Sequence, residues 1–362
     1  MYLHNALTPL YKFTRFLGCS PYKFEKNTKV YKFDPRALIF VAVTIICSIL
    51  FTVCVPSKTE REFYLFFNFQ IHLDCICTLI NIVTLLIKLK RFVKTMTEME
   101  VIETKLKNLI GDMEYKTIFR ISWVVIVIFI TDTTIKSISE YLLFLKRNAR
   151  PFYLLNGFLP EVAIIQFCIL IYIPFVRLRK LKQFFENTFY KNQDEFILRK
   201  QIEEIHDIYN KICNVCLDLN NIFGFPTLIF YIHFITSGVV EIHYSYLLKD
   251  DLNWKTALQI ISVFHWTVWR ASCLITIAYL YHSVLEQSKT MSNTIHNLIR
   301  KAKTPQVYKS LKLFALHEIN RNLKFTVCGL FAADFTMVNT GFTTIATYVV
   351  LLIQFNVGKQ EI

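Results

Sequence analysis

Long apolar runs alternate with polar, basic stretches along the whole chain. A helix needs about 20 mainly apolar residues to cross a bilayer. Seven segments read that way: residues 37–55, 63–87, 121–145, 152–176, 222–247, 257–281 and 335–355. The third is more polar towards its far end. The pattern predicts an all-α membrane protein with seven transmembrane helices.

The connections after spans two, four and six are long and read as helical extensions. In residues 180–212, Ile202, Ile205, Ile208 and Ile212 recur at three- and four-residue spacing, with Lys, Glu and Asp between them. That spacing makes an amphipathic helix with one face to bury. Leu298, Tyr308, Leu311 and Phe314 show the same tendency after span six. The predicted division is a cytosolic segment 1–36, a six-helix membrane bundle 37–281 with cytosolic helices near 88–120 and 177–221, further cytosolic helices at 282–334, a last span 335–355 and a short tail 356–362.

Charge sets the orientation. Of 41 Lys and Arg residues, 31 fall in the N-terminal segment and the connections after spans two, four and six. Eight fall on the other side, and Lys136 and Arg270 lie within spans. The positive-inside rule places the richer side, and with it the N-terminus, in the cytosol. The C-terminus is then extracellular. The net charge of +14 is spread between apolar runs rather than gathered in a patch. That distribution fits anionic membrane lipid as a partner and argues against nucleic acid.

The ten cysteines lie mostly inside apolar runs and read as small buried hydrophobes. Cys213 and Cys216 form a CxxC with no second pair, so neither a zinc site nor a disulfide framework is expected. Residues 1–36 lack the apolar core of a signal peptide. No cofactor and no metal is expected. No Ser/His/Asp set, HExxH or phosphate loop appears, so an enzyme is not expected.

The last span carries a polar stripe. Thr340, Thr343 or Thr344, Thr347, Leu351 and Gln354 share one face at spacings of three and four, while the other faces are aliphatic or aromatic. Lipid cannot satisfy hydroxyls and amides, so the stripe must face protein or water. Two readings stand at this point. The threonines bond to their own helix or to a neighbouring one, or they line a water-filled pore, which would take several subunits around an axis.

Thr347-Tyr348, five apolar residues and Gln354-Phe355 resemble the signature of insect gustatory receptors. Upstream, the run from Phe325 to Phe331, Asp334 and His317 resemble the segment leading into that family's last helix. The resemblance implies a homotetramer, or a heterotetramer with related subunits, that acts as a ligand-gated, non-selective cation channel passing Na⁺, K⁺ and Ca²⁺. It also implies a cytosolic anchor, and a plasma-membrane location in sensory neurons. Gln354 would form the narrowest ring, with Leu351 below it. The family's sugar branch tends to carry Glu after Thr-Tyr. Val349 stands there in this chain, so the expected ligand is a small tastant of the plant-derived bitter kind, with a single sugar as the alternative.

Unusual residues occupy the outer halves of spans two to six. They are His72 and Asp74, then Asp132 and Lys136, then Asn156 and Glu161, then His233, Ser237 and Glu241, then His265, Trp266, Trp269 and Arg270. Ionisable groups within a span are costly and are either paired or functional. Internal pairs such as Asp132 with Lys136, or Arg270 with Glu161, are one reading. A ligand pocket walled by Trp266 and Trp269 is the other, and the family's pocket is formed by the outer parts of such helices. Asp334 precedes the last span and reads as its N-cap.

A seven-helix G-protein-coupled receptor needs the opposite orientation, and no DRY or NPxxY motif is present. A transporter would show inverted repeats and broken helices. Both are less consistent with the chain than a channel.

Overall fold

The computed structural model describes residues 3–25, 28, 30–54, 63–111, 113–144, 153–191, 194–247, 253–321 and 323–360. Among the described residues ten helices carry the architecture: α1 (Leu3–Phe16), α2 (Leu38–Cys54), α3 (Phe63–Ile87), α4 (Leu89–Ile110), α5 (Tyr115–Phe144), α6 (Tyr153–Lys191), α7 (Glu195–Leu247), α8 (Trp254–Lys301), α9 (Pro305–Asn320) and α10 (Phe335–Gln360). Two short antiparallel hairpins accompany them, β1 (Tyr22–Glu25) with β2 (Val30–Phe33), and β3 (Thr326–Val327) with β4 (Phe331–Ala332).

Each of the seven predicted spans lies on a helix. Five of these helices, α5, α6, α7, α8 and α10, contain stretches long and apolar enough to cross a membrane among the described residues. The bent pair α3–α4 makes a sixth. Helix α2, which carries the first predicted span, is described as far as Cys54 and has 17 residues, at the short end of the spanning range. Residues 55–62, between α2 and α3, lie outside the described residues.

Helix length separates the two ends of the molecule. At 1.5 Å per residue, the 53 residues of α7 run about 80 Å, and the 48 of α8 about 72 Å. A hydrocarbon core is about 30 Å thick. Both helices therefore project far past a bilayer as continuous rods, in the direction of the basic connections. The predicted extensions are thus parts of the span helices themselves. Ile202, Ile205, Ile208 and Ile212 are all buried, as their period requires.

The core lies along the seam of α6, α7 and α8. Phe167 stacks on Phe223 at 4.7 Å, and Phe167 meets Tyr281 edge-on at 5.5 Å. Beyond Phe167, the apolar residues Leu170, Ile173, Leu181 and Phe185 are buried in protein. That stretch of α6 is apolar because neighbouring helices cover it. A buried ion pair also lies at this end, Arg177 Nε to Glu103 Oε1 at 2.5 Å, with the Tyr115 hydroxyl donating to Glu103.

Helix α4 leaves α3 at 65°. The bend is pinned by Lys88, whose ammonium donates to the Asn221 carbonyl, and by Arg91, which pairs with Asp218 at 2.6 Å. Residues 3–36 are more structured than a connecting segment. Helix α1 packs on α5 and α6, with Phe13 against Phe129. The β1–β2 hairpin lies on α4, where Tyr31 N donates to Thr97. Arg15 and Asp34 form an ion pair across this unit. Between α9 and α10 the chain is not helical: residues 325–333 form the β3–β4 hairpin, with Phe325 stacked on Tyr281 at 4.3 Å.

Candidate functional site

Helix α10 starts where Asp334 Oδ1 accepts from Thr336 N at 2.9 Å, the expected N-cap bond. One face of α10 packs on α7 and α8. Met337, Ile345 and Val349 are buried there. The fit to α7 depends on missing side chains. A β-carbon on Gly238 would stand 2.7 Å from Ile345 Cδ1, and one on Gly341 would stand 3.1 Å from the rings of Tyr231 and Phe234. Backbone approach of this kind is what small residues permit between membrane helices.

The opposite face holds the polar stripe. Thr340, Thr343, Thr347, Leu351 and Gln354 are exposed, and Thr344 is half-buried. Each threonine hydroxyl donates to the carbonyl one turn back: Thr340 to Thr336 at 2.8 Å, Thr343 to Asn339 at 3.0 Å, Thr344 to Thr340 at 2.8 Å and Thr347 to Thr343 at 2.9 Å. The bonds to the helix's own backbone are therefore present. They do not remove the stripe's polarity. A hydroxyl that spends its hydrogen on the backbone turns its oxygen lone pairs outward, so the exposed face of α10 is a ladder of acceptors.

A second constellation lies between α3, α6, α7 and α8. Arg270 is 1% exposed. Its Nη1 donates to Glu241 Oε1 at 2.6 Å and to Ser237 Oγ at 3.0 Å, and its Nε lies 3.9 Å from Glu161. The Trp266 ring stands 5.0 Å from the guanidinium. Trp269 Nε1 donates to Glu161 Oε2 and Thr267 donates to Glu241 Oε2, both at 2.6 Å. His233 and Asp74 pair at 2.6 Å, and Asp74 also acts on Arg270 through space. A charge buried this deeply persists only when it is paired; Glu241 and Ser237 take the hydrogen bonds of Nη1, while Nε lies against Glu161 without one.

The sequence-derived residues thus fall into two groups. Glu161, His233, Ser237, Glu241 and Trp266 are buried supports of the Arg270 network. His265 is exposed, while His72 and Trp269 are half-buried. Asp132 pairs with His265 on α8. The side chains of Lys136 and Asn156 lie outside the described residues. His233 joins the network through Asp74, 159 positions away, a link that local spacing does not carry. The notch at Gly238 also escaped the sequence reading, because a lone glycine in an apolar run marks no partner.

A family profile described as 7tm chemosensory receptor matches residues 7–357. The Drosophila melanogaster protein named gustatory receptor 28a is 22% identical over 167 residues, 42% of this chain and 35% of that protein. Gustatory receptor 28b of the same organism is 28% identical over 82 residues, 23% of this chain and 17% of that protein. The matched region spans about a third or less of these relatives. The insect olfactory receptor OR5 from Machilis hrabei superposes over 98% of both chains, with a TM-score of 0.71 at 11% identity. Its complex with eugenol gives 0.68 at 13% identity. At such identity the likeness is one of fold.

Proposed function

The chain belongs to the 7tm chemosensory receptor family, and from that membership we propose that it is a ligand-gated cation channel of the gustatory type. One observation carries the proposal: α10 buries Ile345 and Val349 against α7 and turns Thr340, Thr347, Leu351 and Gln354 outward. An amide and a row of hydroxyl oxygens on that face need water or protein. Copies of the chain arranged around an axis, with this face inward, would supply both.

In this reading four chains surround one conduit. Gln354 makes the narrow ring, Leu351 sits beneath it, and the threonine oxygens line the wider part. Neutral amide and hydroxyl oxygens coordinate cations without trapping them, and no carboxylate stands on that face, so Na⁺, K⁺ and Ca²⁺ all pass. The basic ends of α4, α6, α7, α8 and α9 lie in the cytosol as the anchor, and the C-terminus is outside. The location is the plasma membrane of sensory neurons.

The ligand is a small tastant. His72, His265 and Trp269 keep exposed surface and are the contacts we assign to it, backed by the closed network around Arg270. Val349, where the sugar branch tends to carry Glu, favours a plant-derived bitter compound over a sugar. Ligand acts by differential affinity for the two gate states. The route to the gate is short, because Ser237, bonded to Arg270, immediately precedes Gly238, which receives Ile345 of α10.

Whole-cell recording from cells expressing this chain alone, challenged with bitter compounds and single sugars, tests the proposal. Agonist-evoked currents whose cation permeability ratios change in Gln354→Ala support it. Currents with unchanged ratios in that variant remove Gln354 from the conduit.

A further inference from the structure

Outside the membrane bundle, two histidines from different helices face each other. His206 lies on the basic extension of α7, and His317 on the last turn of α9, 111 positions later. Their facing nitrogens, His206 Nε2 and His317 Nδ1, are 3.0 Å apart. His206 also packs on Phe314, with ring centroids 4.6 Å apart, which fixes its plane. His317 is exposed and His206 half-buried, so the pair is open to solvent on one side.

We propose that this α7–α9 joint is a binding site for a transition-metal ion, Zn²⁺ by preference, clamped by His206 Nε2 and His317 Nδ1. Two imidazole nitrogens on one tetrahedral zinc, each at 2.0–2.1 Å, stand about 3.3 Å apart. The observed spacing is a few tenths of an ångström short of that bite. Neutral imidazole is the commonest metal ligand, and a His–His hydrogen bond needs one unprotonated nitrogen already. On binding, the proton of the shared hydrogen bond moves to the other nitrogen of its own ring. Both facing lone pairs then go to the metal, and both rings stay neutral.

Charges of both signs, Asp207 and Arg321, act on His206. Asp207 follows His206 in the chain and is held by Lys105 and Lys211, each at 2.9 Å. The Arg321 guanidinium is tied one turn along, donating to the carbonyl and side chain of Asn210. Among the described residues no group of three or more His, Cys, Asp or Glu side chains is placed for a metal. Water would therefore complete the coordination sphere, and the ion would exchange rather than hold the fold together. The sequence offered no metal-ligand spacing because the two ligands are so far apart in the chain. Helix α9 leads through the β3–β4 hairpin into α10, so a metal tying α9 to α7 would restrain that helix from below. This site stands apart from the ligand reading above.

The test is a Zn²⁺ titration of the purified full-length protein against a chromophoric chelator. We expect one competing zinc per chain. His206→Ala and His317→Ala should each weaken it about tenfold or more, since losing a mere outer-shell partner costs that much. The double variant should be little worse than either single one, and His317→Cys should retain binding. Equal zinc binding by both alanine variants and the unaltered chain would overturn the proposal. In the unaltered protein, Zn²⁺ should protect His206 and His317 from diethylpyrocarbonate. Equal labelling with and without zinc would overturn it as well.

Discussion

The Cδ1 methyl of Ile345 occupies the space that a β-carbon on Gly238 would need, 2.7 Å from its ideal position. Helix α10 is seated on α7 by that notch. The preceding residue, Ser237, accepts a hydrogen bond from Arg270. The buried polar network and the seat of the last helix are therefore consecutive positions on one rod.

Gly238→Ala should lever α10 away from α7, at about 1–3 kcal/mol of overpacking. It alters no residue of the proposed conduit. We expect surface expression to persist and the basal current or half-maximal agonist concentration to shift. An unaltered dose–response curve and baseline would separate this notch from gating.

Arg270→Ala would leave Glu161 and Glu241 buried without their cation. Breaking a buried pair from one side costs about 3–5 kcal/mol, enough to unfold many proteins. Loss of surface protein, measured by biotinylation, is the expected result. Arg270→Lys should rescue only in part, because a point ammonium cannot reproduce the guanidinium fork that reaches Ser237 and Glu241 together. Thr267→Val, which removes one donor to the Glu241 carboxylate, should cost about 1.5–3 kcal/mol and lower expression less than Arg270→Ala does.

The N-terminal unit should loosen in acid. Burial alone would push the Asp34 carboxyl up, but the Arg36 N–H and the Arg15 guanidinium outweigh it and hold the group below the ordinary carboxylate value. A depressed carboxylate contributes stability that is complete above its unfolded value and is lost as pH falls through the folded one. Protection of the amides of α1 and the β1–β2 hairpin, relative to the intrinsic exchange rate at each pH, should thus be high at neutral pH and fall below the usual Asp range. Asp34→Asn should flatten that profile. A profile identical to the parent's would remove the Arg15–Asp34 pair as its cause.

Trp269→Ala should weaken the agonist response more than it lowers surface expression, since the ring is half-buried and its loss takes one donor from Glu161 while leaving Arg270 in place. Trp266→Ala should lower expression instead, because that ring is buried against Arg270. The two are separated by pairing agonist dose–response with surface biotinylation. The reverse assignment would mean that ligand reaches the Trp266 side of α8.

Hydrophobic runs made the helices of the bundle legible in sequence, and the isoleucine period of residues 202–212 correctly marked a buried face. The long inner connections read as helical extensions, and α7 and α8 do run on as rods of about 80 and 72 Å. Two features were not legible, each for a physical reason. The apolar stretch after Phe167 looks the same in sequence whether lipid or protein covers it. Pairings such as His233 with Asp74 and His265 with Asp132 join residues more than a hundred positions apart. The α10 stripe was visible from its period, and its threonines both bond to their own backbone and present oxygen outward. The two readings of the stripe therefore coexist.

Scanning α10 with single cysteines tests the channel account most directly. The native exposed thiol Cys328 would first be replaced by serine. A positively charged methanethiosulfonate reagent is then applied during agonist-evoked current. Cysteines at Thr340, Thr347, Leu351 and Gln354 should be modified and should block the current, whereas those at Ile345 and Val349 should not. Block at Ile345 and Val349, with Gln354 and Thr347 silent, would put the polar face of α10 away from the ion path.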